Sequence, residues 1–206
     1  MLRIISLFLG YVAGSFLTAC VVTKKVCEKS PFDIGSHNPG MANVMAQCGF
    51  KPGIVVLAGD LLKTLIPCLL CRFVFFPGEN GIIATLYSGL GAVLGHNFPF
   101  WHSFKGGKGV SASCAAMFCI HPFLGIIAMV CGMLVVFSTK YLSIGAAVIP
   151  AAFIPAAIHL CGTEGGIVYL LLFLIMLFVH RNDFKRIKTG EEEKVDVLAL
   201  IKRMRT

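Results

Sequence analysis

Seven apolar stretches, separated by short polar ones, run along the chain at about 4–22, 54–76, 81–95, 110–119, 122–137, 141–160 and 166–180. Stretches of this length without charge alternation predict helices in lipid rather than amphipathic helices on a soluble core. Gly10, Gly14, Ser15 and Thr18 give the first segment one small face, and the glycines at 81, 89, 91 and 95 favour close packing of the third. His121-Pro122 interrupts the apolar run from Val110 to Phe137, so it reads as two shorter segments that meet there. This parity puts Lys140 and the basic tail after Arg181 on the same side as Lys24-Lys25, with Glu79 and Glu164 opposite. By the positive-inside rule, the N-terminus lies outside and the C-terminus in the cytoplasm. The first segment resembles a signal peptide, but Val21-Val22 followed by Lys24-Lys25 predicts a retained helix instead. One membrane domain spanning residues 1–206, with a cytoplasmic tail from about 181 to 206, accounts for the whole pattern.

Composition agrees: of 206 residues, 57% are hydrophobic and 14% charged, with a mean hydropathy of +0.84. This is an integral membrane protein. The net charge of +8 is carried mainly by short connections and the tail, which suits topology and phosphate contacts and argues against nucleic acid as a partner. Seven of the nine cysteines lie in or beside apolar stretches as small hydrophobes, so neither a disulfide framework nor a metal site is expected. Cys68-x-x-Cys71 has redox or zinc spacing, but no second pair or suitably spaced histidines accompany it.

Three polar stretches carry candidate chemistry. Gly95 to Val110 places Lys105, Gly106, Gly107, Lys108 and Gly109 at the start of a predicted helix, where positive charge, exposed N–H groups and a helix N-terminus suit a phosphate. A basic loop that only fixes topology has the same composition. Residues 35–43 are dense in turn formers and supply Ser36, Asn38 and Asn43. His180 and Asp183 lie one turn apart if the last segment stays helical, the spacing for an imidazole and a carboxylate to hydrogen-bond. Asp60 and Lys63 share a face of the second segment, where ionisable groups pair or border a polar cavity. Arg72, near that segment's other end, is expected to snorkel outward. The predicted topology brings all three stretches to the cytoplasmic face, which suggests phosphoryl or acyl-phosphate chemistry there. With no G-x-x-x-x-G-K-[ST] pattern and no acidic cluster for magnesium, nucleotide hydrolysis is not expected.

Nearly the whole chain resembles the bacterial acyl-phosphate:glycerol-3-phosphate acyltransferases, the PlsY family. The first family motif, G-S-G-N-x-G-A-x-N-x-x-R, is similar to Gly35 through Ala46. The second, G-H-x-F-P followed by F-K-G-G-K-G-V, is present without a break from Gly95 to Val110. The third, H-R-x-N-I-x-R-L-x-x-G-x-E, is similar to His180 through Glu192, and the Asp60/Lys63 pair also has a counterpart. The resemblance implies an all-helical, seven-helix enzyme of the bacterial inner membrane. It would move a fatty acyl group from acyl phosphate to the 1-hydroxyl of glycerol 3-phosphate, giving lysophosphatidic acid and phosphate, without cofactor or metal.

By the same resemblance, Ser36, His180 and Asp183 hold the catalytic positions, and Asn38, Asn43 and residues 105–109 bind substrate. Asp60, Lys63, His96 and Glu192 support the site. A mixed anhydride is already activated, so the protein has mainly to neutralise phosphates, hold the hydroxyl near the carbonyl and stabilise an oxyanion. The proton would leave through His180 or a substrate phosphate oxygen. Several positions depart from the family pattern: His37 stands at a motif glycine, Met41-Ala42 replaces A-x, Ala46 stands at the closing arginine and Asp183 at the asparagine. The arginine that precedes the first motif in many members is also missing, and His37 or Lys51 is the expected partial replacement for the lost charge. These departures leave a second reading, a diverged lipid- or phosphate-binding protein, altered-acceptor paralogue or small transporter.

Overall fold

The computed structural model describes residues 1–195, and among these every regular element is helical. Residues 196–206, the end of the expected cytoplasmic tail, lie outside the described residues. Among the described residues, four helical runs are long and apolar enough to cross a membrane: Leu2–Val26, Phe50–Phe75, Pro122–Thr139 and Leu142–Val179. The chain divides into two compact units at Ile120/His121.

In the first unit, α1 (Leu2–Gly14) and α2 (Thr18–Val26) replace the single helix expected over 4–22. Leu17 is extended between them (φ −97°, ψ 94°). The break turns two carbonyls outward from the helix axis, and both are met: Trp101 Nε1 donates to Ser15 O at 2.8 Å and Lys63 Nζ to Phe16 O at 2.8 Å. Irregular backbone at membrane depth survives where protein groups satisfy it in this way. The small-residue faces pack as expected between α1 and α5 (Gly81–Asn97). A Cβ on Gly10 would lie 2.0 Å from Ser88 O and one on Gly91 2.1 Å from Leu7 O, so backbone touches backbone in both directions. Thr18 packs elsewhere, its Oγ1 2.4 Å from where a Gly59 Cβ would sit on α4 (Phe50–Leu70).

α4 begins four residues before the expected Ile54 and continues as a π-helical turn over Cys71–Phe75. Arg72 does not snorkel outward. Its guanidinium turns to the carbonyls of Cys119 and Ile120, the frayed end of α6 (Val110–Ile120), where a cation satisfies orphan acceptors and the helix dipole together. The connection from α2 to α4 contains a short helix, α3 (Met41–Cys48), whose Val44 packs with Ala19 and Val56. Contrary to expectation, two cysteines are joined: Cys27 and Cys48 form a disulfide with Cα atoms 6.1 Å apart. They are the two that lie in the polar connection, outside the apolar runs that argue for small hydrophobes.

The second unit starts at the His121-Pro122 interruption. Pro122 opens α7 (Pro122–Thr139), and His121 Nδ1 accepts the Leu124 N–H at 3.3 Å as its N-cap. Lys140 closes α7 in the left-handed region (φ 63°). α8 (Leu142–Val179) is two helices in one run, bent at Gly162 (φ 66°, ψ −162°) where two segments were expected. Phe153 and Tyr169 pack across the bend with ring centroids 4.7 Å apart. α9 (Arg181–Thr189) follows directly and ends on the left-handed Gly190 (φ 79°).

Candidate functional site

The glycine-rich stretch folds back beneath the end of α5. Gly106 N–H donates to Asn97 O at 3.1 Å and Gly107 N–H to His96 O at 3.0 Å, so the loop lies flat against the helix terminus. Its outer arc is held by Tyr11, whose hydroxyl donates to Phe98 O at 2.7 Å, and by Trp101. Contact explains the glycines. A Cβ on Gly106 would stand 2.1 Å from His96 O, one on Gly107 2.1 Å from His96 Nε2, and one on Gly109 (φ +74°) 2.3 Å from Asn97 Oδ1. One sequence expectation changes here. The N–H groups of Gly106 and Gly107 are spent on the backbone, so positive potential for an anion comes from the Lys105 and Lys108 side chains and the first turn of α6, which begins at Val110 as expected.

Beneath the loop lies a buried polar cluster. Lys63 Nζ is 2.9 Å from Asp60 Oδ1, 2.7 Å from His96 Nδ1 and 2.8 Å from Phe16 O. Asp60, Lys63 and His96 are all at most 8% exposed. The i, i+3 spacing read from sequence thus gives an ion pair, and α5 adds the histidine. Asn97, next to His96 and 3% exposed, has no hydrogen-bond partner for either amide atom. Sequence reasoning passed over it because it fills a variable place within the second motif.

The Ser36 loop is organised by Asn43 at the start of α3. Its Nδ2 lies 3.1 Å from Pro31 O, 3.1 Å from Ile34 O and 3.0 Å from Asn38 O, while its Oδ1 accepts the Ser36 N–H at 3.0 Å. Asn43 is 4% exposed and its amide serves the loop itself; the Ser36 side chain is exposed on the outside. Asn38, half-buried, is tied in through its own carbonyl. Gly35 (φ +51°) faces Asn43, and a Cβ there would fall 2.4 Å from Asn43 Oδ1. His37 holds φ +57° although it is not glycine, and its Nδ1 donates to Phe32 O at 2.7 Å. Phe32 in turn meets His102 of the glycine-rich connection, ring centroids 5.8 Å apart, so the first two motifs are neighbours within the first unit. Ala46 is exposed on α3, and Lys51 is exposed at the start of α4.

In the second unit, His180 caps the turn between α8 and α9. Its Nδ1 donates to Met176 O at 3.0 Å, since a carbonyl only accepts, and this fixes the orientation of the ring. Asp183 pairs with Arg186, Oδ1 to Nη2 at 2.5 Å, and Arg186 Nε reaches Glu192 Oε2 at 2.6 Å. The hydrogen bond to Glu192 raises the guanidinium pKa above its ordinary value. Arg186 is the residue the sequence reading left out. The carboxylate that replaces the family asparagine has its charge met one turn along the same helix. Among the described residues no cluster of three or more histidine, cysteine or acidic side chains is arranged for a metal.

Among the described residues every regular element is helical and four runs reach membrane length, and with a basic glycine loop over a buried ion pair they define a polytopic membrane protein with a polar site built into its helix ends. A family model described as glycerol-3-phosphate acyltransferase matches residues 4–190. Glycerol-3-phosphate acyltransferase 1 of Lactobacillus johnsonii is 40% identical over 199 residues, covering 97% of this chain and 95% of the relative. The glycerol-3-phosphate acyltransferase of Thermoanaerobacter pseudethanolicus is 32% identical, covering 95% and 96%. A crystal structure of PlsY, an integral membrane glycerol 3-phosphate acyltransferase in its glycerol 3-phosphate form, superposes with a TM-score of 0.81 at 25% identity over 97% of this chain and 98% of that one. Its lysophosphatidic acid form gives the same TM-score at 26% identity. The chain belongs to the glycerol-3-phosphate acyltransferase family.

Proposed function

We propose that this protein acylates the 1-hydroxyl of glycerol 3-phosphate with a fatty acyl group from acyl phosphate, releasing inorganic phosphate and lysophosphatidic acid. The observation that carries the reading is the unbroken second motif, folded as a lysine-bearing glycine loop at the start of α6, in a chain of this family. Lys105, Lys108 and the α6 terminus hold a phosphate, and Ser36 hydrogen-bonds substrate from its Asn43-braced loop. His180, its ring oriented by Met176 O, takes the hydroxyl proton as that oxygen bonds to the acyl carbon and the carbon–phosphate-oxygen bond breaks. Asp183, with its charge compensated by Arg186, orients substrate, and Glu192 supports that arginine.

The protein acts as one membrane domain with seven membrane segments, N-terminus outside. The reaction takes place on the cytoplasmic face of a bacterial inner membrane. Basic residues at 24–25, 105–108 and 181–188 supply the topology argument for that placement.

Steady-state kinetics in lipid test the roles. Lys105→Ala is expected to raise the KM for a phosphate-bearing substrate about tenfold or more, the loss of one charge-assisted contact, with kcat little changed. Ser36→Ala is expected to lower kcat chiefly. Negligible effects from both would move the site elsewhere.

A further inference from the structure

The Cys27–Cys48 disulfide spans a sequence separation of 21, and the whole first motif up to Ala46 lies inside the loop it closes. Cys27 is the C-cap of α2 and Cys48 the last residue of α3, so the bond ties together the two ends of the segment that carries Ser36. Residues 28–40 contain no regular element. Asn43 holds their path from α3, through the carbonyls of Pro31, Ile34 and Asn38 and the Ser36 N–H. These bonds all lead to α3, so Ser36 is placed only as firmly as α3 is seated. That seat has an apolar part, Val44 against Ala19 and Val56, and a covalent part, the disulfide.

The covalent part is open to chemistry. Cys27 and Cys48 are both half-buried, whereas a staple sealed in the core would be out of reach of small thiols. Exposed Lys24, Lys25 and Lys29 flank Cys27 in sequence and exposed Lys51 follows Cys48, a setting that draws an anionic thiol reagent to the pair. Opening the bond leaves the Val44 packing in place, so the unit keeps its fold while the connection loses its closure. A Cα separation of 6.1 Å accommodates two thiols as well as the bond, without displacement of either helix end.

We propose that Cys27 and Cys48 are a redox modification site, a reversible thiol–disulfide pair that sets how firmly the Ser36 loop is held, with a low-molecular-weight disulfide such as oxidised glutathione as the oxidant. One cysteine thiolate attacks oxidised glutathione and releases a glutathione thiolate. The other attacks the protein sulfur of the mixed disulfide and releases the second. The protein gives up two protons and two electrons, and one glutathione disulfide becomes two thiols. Closing the loop removes conformations from the connection, so the oxidised form holds Ser36 in its Asn43-braced place and the reduced form lets it wander. The consequence for turnover rests on the Ser36 role proposed above.

The test equilibrates the full protein, in lipid nanodiscs, with glutathione mixtures from reducing to oxidising. Three quantities are read at each: the Cys27–Cys48 linkage by mass spectrometry of unreduced peptides, amide hydrogen exchange across 28–40, and kcat with acyl phosphate and glycerol 3-phosphate. Reduction is expected to break the linkage, speed exchange in that segment about tenfold and lower kcat about threefold or more, all with one midpoint. Cys27→Ser should behave as the reduced form in every mixture. The comparison of the two states of the unsubstituted protein stands even if that variant does not fold. Absence of the linkage in the oxidising mixtures overturns the pair. A linkage that forms while exchange and kcat stay the same overturns its hold on the loop. A redox response that persists in Cys27→Ser belongs to one of the seven other cysteines and overturns the assignment. Exchange that follows the linkage in a protein making no lysophosphatidic acid in either state supports the brace and overturns the acyltransferase reading instead.

Discussion

His37 occupies a backbone position that L-residues pay to adopt. With φ +57° it holds a left-handed turn that glycine adopts without steric cost, and its side chain adds a bond to Phe32 O. His37→Gly is expected to keep turnover within about twofold. His37→Val should lower stability by roughly 1–2 kcal/mol, because a β-branched residue fits that region worst; melting temperature and turnover in one detergent check both. The buried ion pair makes a sharper demand. Asp60→Ala leaves an ammonium 8% exposed without its counter-charge and is expected to cost about 3–5 kcal/mol, whereas Asp60→Leu with Lys63→Met should be more stable than that single variant. Thermal unfolding of the two tests this, and a double variant no better than the single would contradict the pairing.

At the scale of elements, the third motif behaves as a unit. Arg186 bridges Asp183 and Glu192, and removing it takes a counter-charge away from the Asp183 carboxylate beside substrates that are themselves anionic. Arg186→Ala is expected to raise KM for glycerol 3-phosphate several-fold, and adding Asp183→Asn should recover much of it. Equal KM values for the single and double variants would remove Asp183's charge from the account. Much of this layer was legible in the chain. The breaks at His121-Pro122 and Gly162, the start of α6 and the glycine faces of α1 and α5 follow from residue types whose steric effects are local. What escaped depends on partners distant in sequence. The break at Leu17 carries no proline and is held open by Lys63 and Trp101; Arg72 turns inward because α6 ends beside it. The engagement of the Gly106 and Gly107 N–H groups depends on how the loop folds onto α5, which spacing does not encode.

For the whole molecule, composition alone places the chain in the membrane, and family membership gives its chemistry. The altered first and third motifs are the reason to measure that chemistry directly. Ala46 stands where the family motif has a cation; of the two expected replacements, Lys51 is exposed and His37 is bonded to Phe32. The most direct measurement is product formation by the purified full-length protein in lipid, supplied with acyl phosphate and labelled glycerol 3-phosphate. The account predicts lysophosphatidic acid and inorganic phosphate in equal amounts, dependent on both substrates and requiring no coenzyme A. Saturable binding of both substrates with no product would contradict catalysis and identify a binding protein built on the acyltransferase fold.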